Sequence, residues 1–195
     1  QKNLEKFLNF KFKEKNFLIT YHPATLNPIK SLKELKNLLK VLTKYKKYGL
    51  IFTGTNIDIK SNDIKKIINI FIKKNKNSIF IESMGSTRYI SSMKLCDIII
   101  GNSSSGILEA PYFKKPVVNI GDRQKGRLKA KNIISCDGSY KSIDNSIKKC
   151  LNFHFIKSIK IFKNPYGIGN ASAKAINIIE KINLKNILEK KFYEK

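Results

Sequence analysis

The chain's 195 residues suffice for one full domain, which at that size buries about 70% of its unfolded surface and needs no disulfide or metal to fold. Its three cysteines, Cys96, Cys136 and Cys150, are odd in number, widely spaced and free of any C-x-x-C pair. That argues against a disulfide framework or a zinc site and for a reducing, cytoplasmic setting. The formal charge of +25 excludes less than it suggests, because it rests on 36 lysines and only three arginines, and Lys, Ile and Asn together make up 87 residues. Those three share A/T-rich codons, so base composition accounts for the surplus lysine. Sequence-specific nucleic-acid readers lean on Arg, whose planar fork pairs bidentately with bases and phosphates. Neither a specific nucleic acid nor a membrane is an expected partner: no apolar run approaches the roughly 18 residues of a membrane span. Weak, salt-sensitive attraction to polyanions remains.

The first residues read as a helix running toward a strand. The apolar run Phe17 to Tyr21 predicts that strand, stopped at His22-Pro23. Leucines at 32, 35, 38, 39 and 42 give a helical period from Ser31 to about Tyr48. Gly49 to Thr53 predicts a second strand, Asn62 to Asn75 a helix, Ser78 to Glu82 a third strand and Thr87 to Cys96 a short helix. Asp97 to Gly101 holds three adjacent isoleucines, as expected of a parallel strand covered on both faces. A helix from Ser105 to Phe113, strands at Pro116 to Ile120 and Asn132 to Ser135, a helix from Ser142 to Leu151 and a mostly helical stretch from Asn170 onward complete the chain. Alternation of this kind predicts an α/β fold, a Rossmann-like parallel sheet with helices on both faces. Ligands of such sheets bind beyond the carboxyl ends of the strands, and every Gly/Ser-rich loop here follows a strand.

Gly101-Asn102-Ser103-Ser104-Ser105-Gly106 joins the buried strand to a helix start. Glycines let backbone approach a ligand, serines donate hydrogen bonds, and the first-turn N–H groups and helix dipole favour an anion such as a diphosphate. Ordinary helix capping is the competing reading. A serine nucleophile is disfavoured, since the G-x-S-x-G elbow would need Gly at position 105. Glu109, within a turn of those serines, suits sugar hydroxyls, as do acidic residues that hold a ribose; a solvated surface Glu is the alternative. His22 closes the first strand, where it can donate to a diphosphate or assist a leaving group, or be plain surface. His154, between Phe153 and Phe155, reads as structural. Arg123 and Arg127 suggest a planar, multi-donor need, or ion pairs with Asp122 or Glu109. Gly167-Ile168-Gly169 lacks the full G-x-G-x-x-G and is a weak nucleotide-loop signal.

The run Gly101 to Pro111 (GNSSSGILEAP) and the run Asn119 to Arg127 (NIGDRQKGR) resemble the hydrolysing UDP-N-acetylglucosamine 2-epimerases. Thr20-Tyr21-His22-Pro23 and Asn164 to Ala171 agree in order. The resemblance implies the C-terminal domain of a glycosyltransferase-B type fold: residues 1–170 a UDP-binding unit, residues 171–195 a C-terminal helix packing toward an N-terminal domain outside this chain. By the same resemblance Ser103 and Ser104 bind the diphosphate, Glu109 the ribose hydroxyls and Arg123 the UDP moiety. His22 lies at the diphosphate as the catalytic candidate, Asn56 matches an Asn after the second strand, and Met84 lies where backbone groups read the uracil edge. The implied reaction eliminates UDP from a UDP-linked sugar to give a glycal, then adds water with inversion at C2. No cofactor or metal is called for, and a homo-oligomer is implied for the full-length protein. Glu109, Asp122, Asp58 and Glu82 are the carboxylates on or near the ligand edge; none forms an acid–base pair, and the groups that move protons are expected in the N-terminal half. A UDP-sugar glycosyltransferase of the same fold and a non-catalytic polyanion-binding module are the alternatives.

Overall fold

Period-two alternation within the strands decides how the chain packs. The protein is described by a computed structural model over residues 1–24, 27–56, 59–167 and 169–185. Strands β1 (Asn16–Thr20), β2 (Gly49–Thr53), β3 (Ser78–Ile81), β4 (Ile98–Gly101), β5 (Val117–Ile120) and β6 (Ile133–Cys136) form one parallel sheet in the order β3-β2-β1-β4-β5-β6. Phe17 and Ile19 of β1 and Ile98 and Ile100 of β4 face one side. There they pack with leucines of α2 (Pro28–Leu42), with Ile64, Ile68 and Phe71 of α3 (Ser61–Lys74), and with Ile143 and Ile147 of α6 (Tyr140–Leu151). Leu18 and Ile99 face the other side, against Leu4 and Leu8 of α1 (Lys2–Leu8) and Met93 of α4 (Gly85–Leu95). Both faces are covered, so the three isoleucines are all buried, as their adjacency requires.

The connections place the site. From β1 the chain winds outward through α2 and α3 to β3; α4 then carries it back across the opposite face to β4, which pairs with β1. The winding reverses between β1 and β4. At such a switch point the loops of neighbouring strands diverge to opposite faces and leave a crevice at their carboxyl ends.

Several boundaries differ from the sequence reading. Helix α2 starts at Pro28, because Asn27 caps it by accepting from the Lys30 N–H at 3.0 Å and proline suits the first helical position. Helix α5 covers only Ser105–Leu108 rather than reaching Phe113: Pro111 disfavours helix at the residue before it, and the chain continues in turns. Helix α7 (Phe153–Ser158) was not expected; the Asn152 side chain caps it through the N–H groups of His154 and Phe155. His154 itself is exposed, its ring edge-on to Phe153. Helix α8 spans Ala171–Ile179, and residues 186–195, like Asp58 and Ile168, lie outside the described residues.

Close approach of β1 and β4 requires glycine at one point. Gly101 has φ +139°, and a Cβ there would stand 1.9 Å from the Thr20 carbonyl oxygen. Gly85 also has positive φ (+65°) but nothing within 4 Å of a would-be Cβ. Chemical denaturation should therefore show Gly101→Ala losing about 3 kcal/mol or more, since backbone must move. Gly85→Ala should lose only about 1–2 kcal/mol, the left-handed penalty alone. Equal losses would show that the β1–β4 approach is not tight.

Candidate functional site

Five loops meet at the crevice, and one amide holds three of them. Asn102, the first residue after β4, is almost fully buried. Its Oδ1 accepts from the His22 backbone N–H at 2.7 Å, and its Nδ2 donates to the His22 carbonyl at 2.8 Å. A side-chain amide thus mimics a strand partner and continues the β1–β4 ladder one residue past the sheet. The Asn102 carbonyl in turn accepts from Gln124 Nε2 at 2.8 Å and from Arg123 Nη1 at 3.2 Å, tying in the loop after β5. Neither Asn102 nor Gln124 stood out as a site residue in the sequence. The only available signal was an amide side chain directly after the most apolar strand.

His22 recruits a fourth loop. Its Nδ1 accepts the backbone N–H of Asn56 at 3.0 Å. In the neutral ring the proton then sits on Nε2, which makes His22 a donor through that atom. Asn56 reaches the site through its main chain; its side chain is exposed. Met84 precedes α4 with its side chain buried, its sulfur accepting from Ser92 Oγ at 3.5 Å.

Ser103 and Ser104 are half-buried. Ser104 occupies the cap position of α5 without making a side-chain cap bond, so the plain capping reading fails there. The helix-dipole argument also weakens, because α5 is a single turn; hydroxyls and backbone N–H groups are what this loop offers. Ser103 Oγ accepts from Ser105 Oγ at 3.0 Å, and Ser105 Oγ lies 2.6 Å from the hydroxyl of Tyr89 on α4. Tyr89 was missed by sequence reasoning, since nothing in a helical tyrosine announces contact with a loop 16 residues later. Glu109 follows α5 with an exposed side chain, and the protein wall beside it raises its carboxyl pKa by desolvation.

Arg123 pairs with neither Asp122 nor Glu109. Asp122 bonds Lys30 Nζ at 2.7 Å, and that ammonium holds its carboxyl below the usual range. Lys30 also stands 3.9 Å from buried Glu34, whose Oε2 accepts from the Tyr21 hydroxyl at 2.8 Å. A cavity of about 430 Å³ lies beside the crevice, with Asn27, Lys30, Glu34, Asp122 and Arg123 among its walls. Glu82 faces solvent and pairs with Lys65. Arg127 is exposed. Among the described residues no group of three or more His, Cys, Asp or Glu side chains could hold a metal ion, and no helix is long and apolar enough to cross a membrane. Two half-buried serine hydroxyls and one guanidinium beside the same crevice suit an anion with several acceptor oxygens.

A Campylobacter jejuni GDP/UDP-N,N'-diacetylbacillosamine 2-epimerase (hydrolyzing) is 43% identical over the whole chain and 50% of its own length. The Escherichia coli polysialic acid biosynthesis protein P7 is 34% identical over 91% of the chain and 46% of its own length. The chain thus spans about half the length of the curated relatives it matches. A Methanocaldococcus jannaschii UDP-GlcNAc 2-epimerase, crystallised with UDP-GlcNAc and UDP, superposes with a TM-score of 0.71 at 22% identity, over 92% of this chain and 49% of that one. That likeness establishes the fold, a Rossmann-like parallel sheet with helices on both faces. The family model described as UDP-N-acetylglucosamine 2-epimerase matches residues 1–180, and the chain belongs to that family.

Proposed function

We propose that this chain is the UDP-binding half of a hydrolysing UDP-sugar 2-epimerase. The observation that carries the reading is the Asn102-centred convergence of His22, Ser103, Ser104 and Arg123 at the switch point. In this reading Ser103, Ser104 and the Nε2–H of His22 donate to the diphosphate, with Arg123 supplying positive charge. Glu109 accepts from the ribose hydroxyls, and main chain at Met84 meets the uracil edge. The substrate is UDP-N-acetylglucosamine or a UDP-diacetamido sugar, and the products are UDP and the free 2-epimer for sialic or nonulosonic acid synthesis. A base removes the C2 proton as the C1–oxygen bond breaks and UDP departs; water then adds across the glycal with inversion at C2. The role of this half is to stabilise charge developing on the leaving diphosphate, which its hydrogen-bond donors do without a metal. His22 is the catalytic group in that limited sense.

The proton-moving groups belong, on this proposal, to the half of the relatives that this chain does not span. Helix α8 supports a division at about residue 170: Ile176, Ile178 and Ile179 are 56%, 62% and 66% exposed, an apolar surface that an adjoining N-terminal half would cover. We place the full-length protein in the cytoplasm as a homo-oligomer.

Three measurements test the reading. Calorimetry should show UDP binding more tightly than ADP or pyrophosphate, and a Ser103→Ala/Ser104→Ala double variant losing about 1.5–3 kcal/mol per contact removed; indifference to the base would remove the uracil and ribose roles. Uridine carries no titrating phosphate, so its affinity reports Glu109. As pH falls through the raised Glu109 pKa, beginning above the ordinary 4.5, the carboxylate is protonated and uridine affinity should drop, while Glu109→Gln should give a flat profile. A profile that Glu109→Gln leaves unchanged would reassign that residue. Finally, this chain incubated alone with UDP-N-acetylglucosamine or its diacetamido analogue should release neither UDP nor free sugar, and adding the other half should restore both. Robust release by the chain alone would overturn the division of labour.

A further inference from the structure

Five hydroxyls form a continuous line beneath the crevice. Thr53 Oγ1 lies 2.8 Å from Thr20 Oγ1, Thr20 Oγ1 3.2 Å from the Tyr89 hydroxyl, the Tyr89 hydroxyl 2.6 Å from Ser105 Oγ, and Ser105 Oγ donates to Ser103 Oγ at 3.0 Å. Thr53, Thr20 and Ser105 are buried. Each hydroxyl owns one proton and can donate once. Because Ser105 spends its proton on Ser103, Tyr89 must donate in the contact with Ser105. Tyr89 having given its proton, Thr20 must donate to Tyr89, and Thr53 to Thr20. One assigned bond at the end of the line thus sets the direction of all the others.

The line terminates at Ser103. Its Oγ accepts from the Ser105 hydroxyl and from the Ser105 N–H at 3.4 Å. Both acceptor positions are taken, so its own proton points away from these partners. Among the described residues that proton meets no protein acceptor. Burial raises the Tyr89 phenol above its usual range, so the middle link stays protonated.

We propose that Tyr89 is a positioning residue for the diphosphate, acting through Ser105 to fix the Ser103 hydroxyl as a donor toward the ligand. The inference rests on the diphosphate reading of Ser103 given above. Donation along the line polarises each link and strengthens the last, so Ser103 is a better donor than an isolated serine. A serine free to rotate would present either a donor or an acceptor to the crevice; the line removes the second option, and with it the tolerance for a ligand that offers a donor there.

The experiment is a double-mutant cycle on this chain, with UDP and uridine as probes and NMR shift titration as the readout. Tyr89→Phe removes one oxygen and should weaken UDP about fivefold, the weight of one ordinary hydrogen bond, while uridine affinity holds. Ser103→Ala should weaken UDP at least as much. In the Ser103→Ala background, Tyr89→Phe should add nothing. Thr20→Val, which cuts the line one link upstream, should cost about twofold on UDP alone, and it carries the test if Tyr89→Phe fails to fold. Additive losses in the cycle, an equal loss on uridine, or unchanged UDP affinity in Tyr89→Phe and Thr20→Val with wild type binding normally would overturn the positioning role and leave the UDP site standing. Failure of the wild-type chain to take UDP at all would instead overturn the diphosphate reading, and this inference with it.

Discussion

The two-way hydrogen bond between the Asn102 side chain and the His22 main chain sets the width of the crevice. The switch point of a parallel sheet is where chain connections pull adjacent loops toward opposite faces. Left alone, the loops after β1 and β4 would separate and their backbone groups would turn to water. Asn102 meets that tension with one donor and one acceptor on a short arm. It also offers its own carbonyl to Gln124 and Arg123. His22, Ser103 and Arg123 are therefore placed relative to one another by a single residue that need not touch the ligand. Buried and hydrogen-bonded on every side, such an amide is costly to replace.

Charge plays a smaller part than composition suggests. The formal +25 is spread over lysines, many of them solvated on the outer helices. Where lysine does act, it acts locally. Lys44 and Lys148 flank the carboxylate of Asp144 at 3.0 and 2.9 Å and hold its pKa down, which pins α6 to the end of α2. Lys30 bridges Asp122 and approaches Glu34, and this leaves Arg123 unpaired with the acid beside it in sequence. Gly121 and Gly138 both lie against the Glu34 carboxylate, with no room for a side chain at either. The wall of the neighbouring cavity is thus a carboxylate packed between two glycines and a lysine, and its shape follows from steric fit more than from net charge.

Most of the fold was legible because burial on both faces writes itself as continuous apolar runs. Ile98 to Ile100 needed no tertiary knowledge to be read as a central strand. That the loops carrying His22 and Ser103 meet was legible for a related reason: strand-end loops in this architecture converge on one edge. What escaped was whatever depends on contact between distant segments. The shortened α5 could have been anticipated from Pro111. The partner of Asp122 could not, since Lys30 is 92 residues away. Nothing in the sequence set Tyr89 apart, whose hydroxyl the fold brings to Thr20 and Ser105, and Asn102 read as one more polar loop residue until β4 met β1.

The same long reach has a consequence for assembly. β1 pairs with β2 across a separation of 33 residues, Asn16 to Gly49, whereas the His22–Asn102 contact spans 80. Each doubling of a loop adds only about 0.6 kcal/mol of closure entropy. The greater obstacle is that α4 must first lay the chain back across the sheet. The crevice therefore exists only in molecules whose two half-sheets have already docked along the β1–β4 seam. A ligand that grips His22 and Ser103 together takes hold of both halves, so occupancy is linked by mass action to closure of that seam. A bound ligand would act as a clasp across that seam.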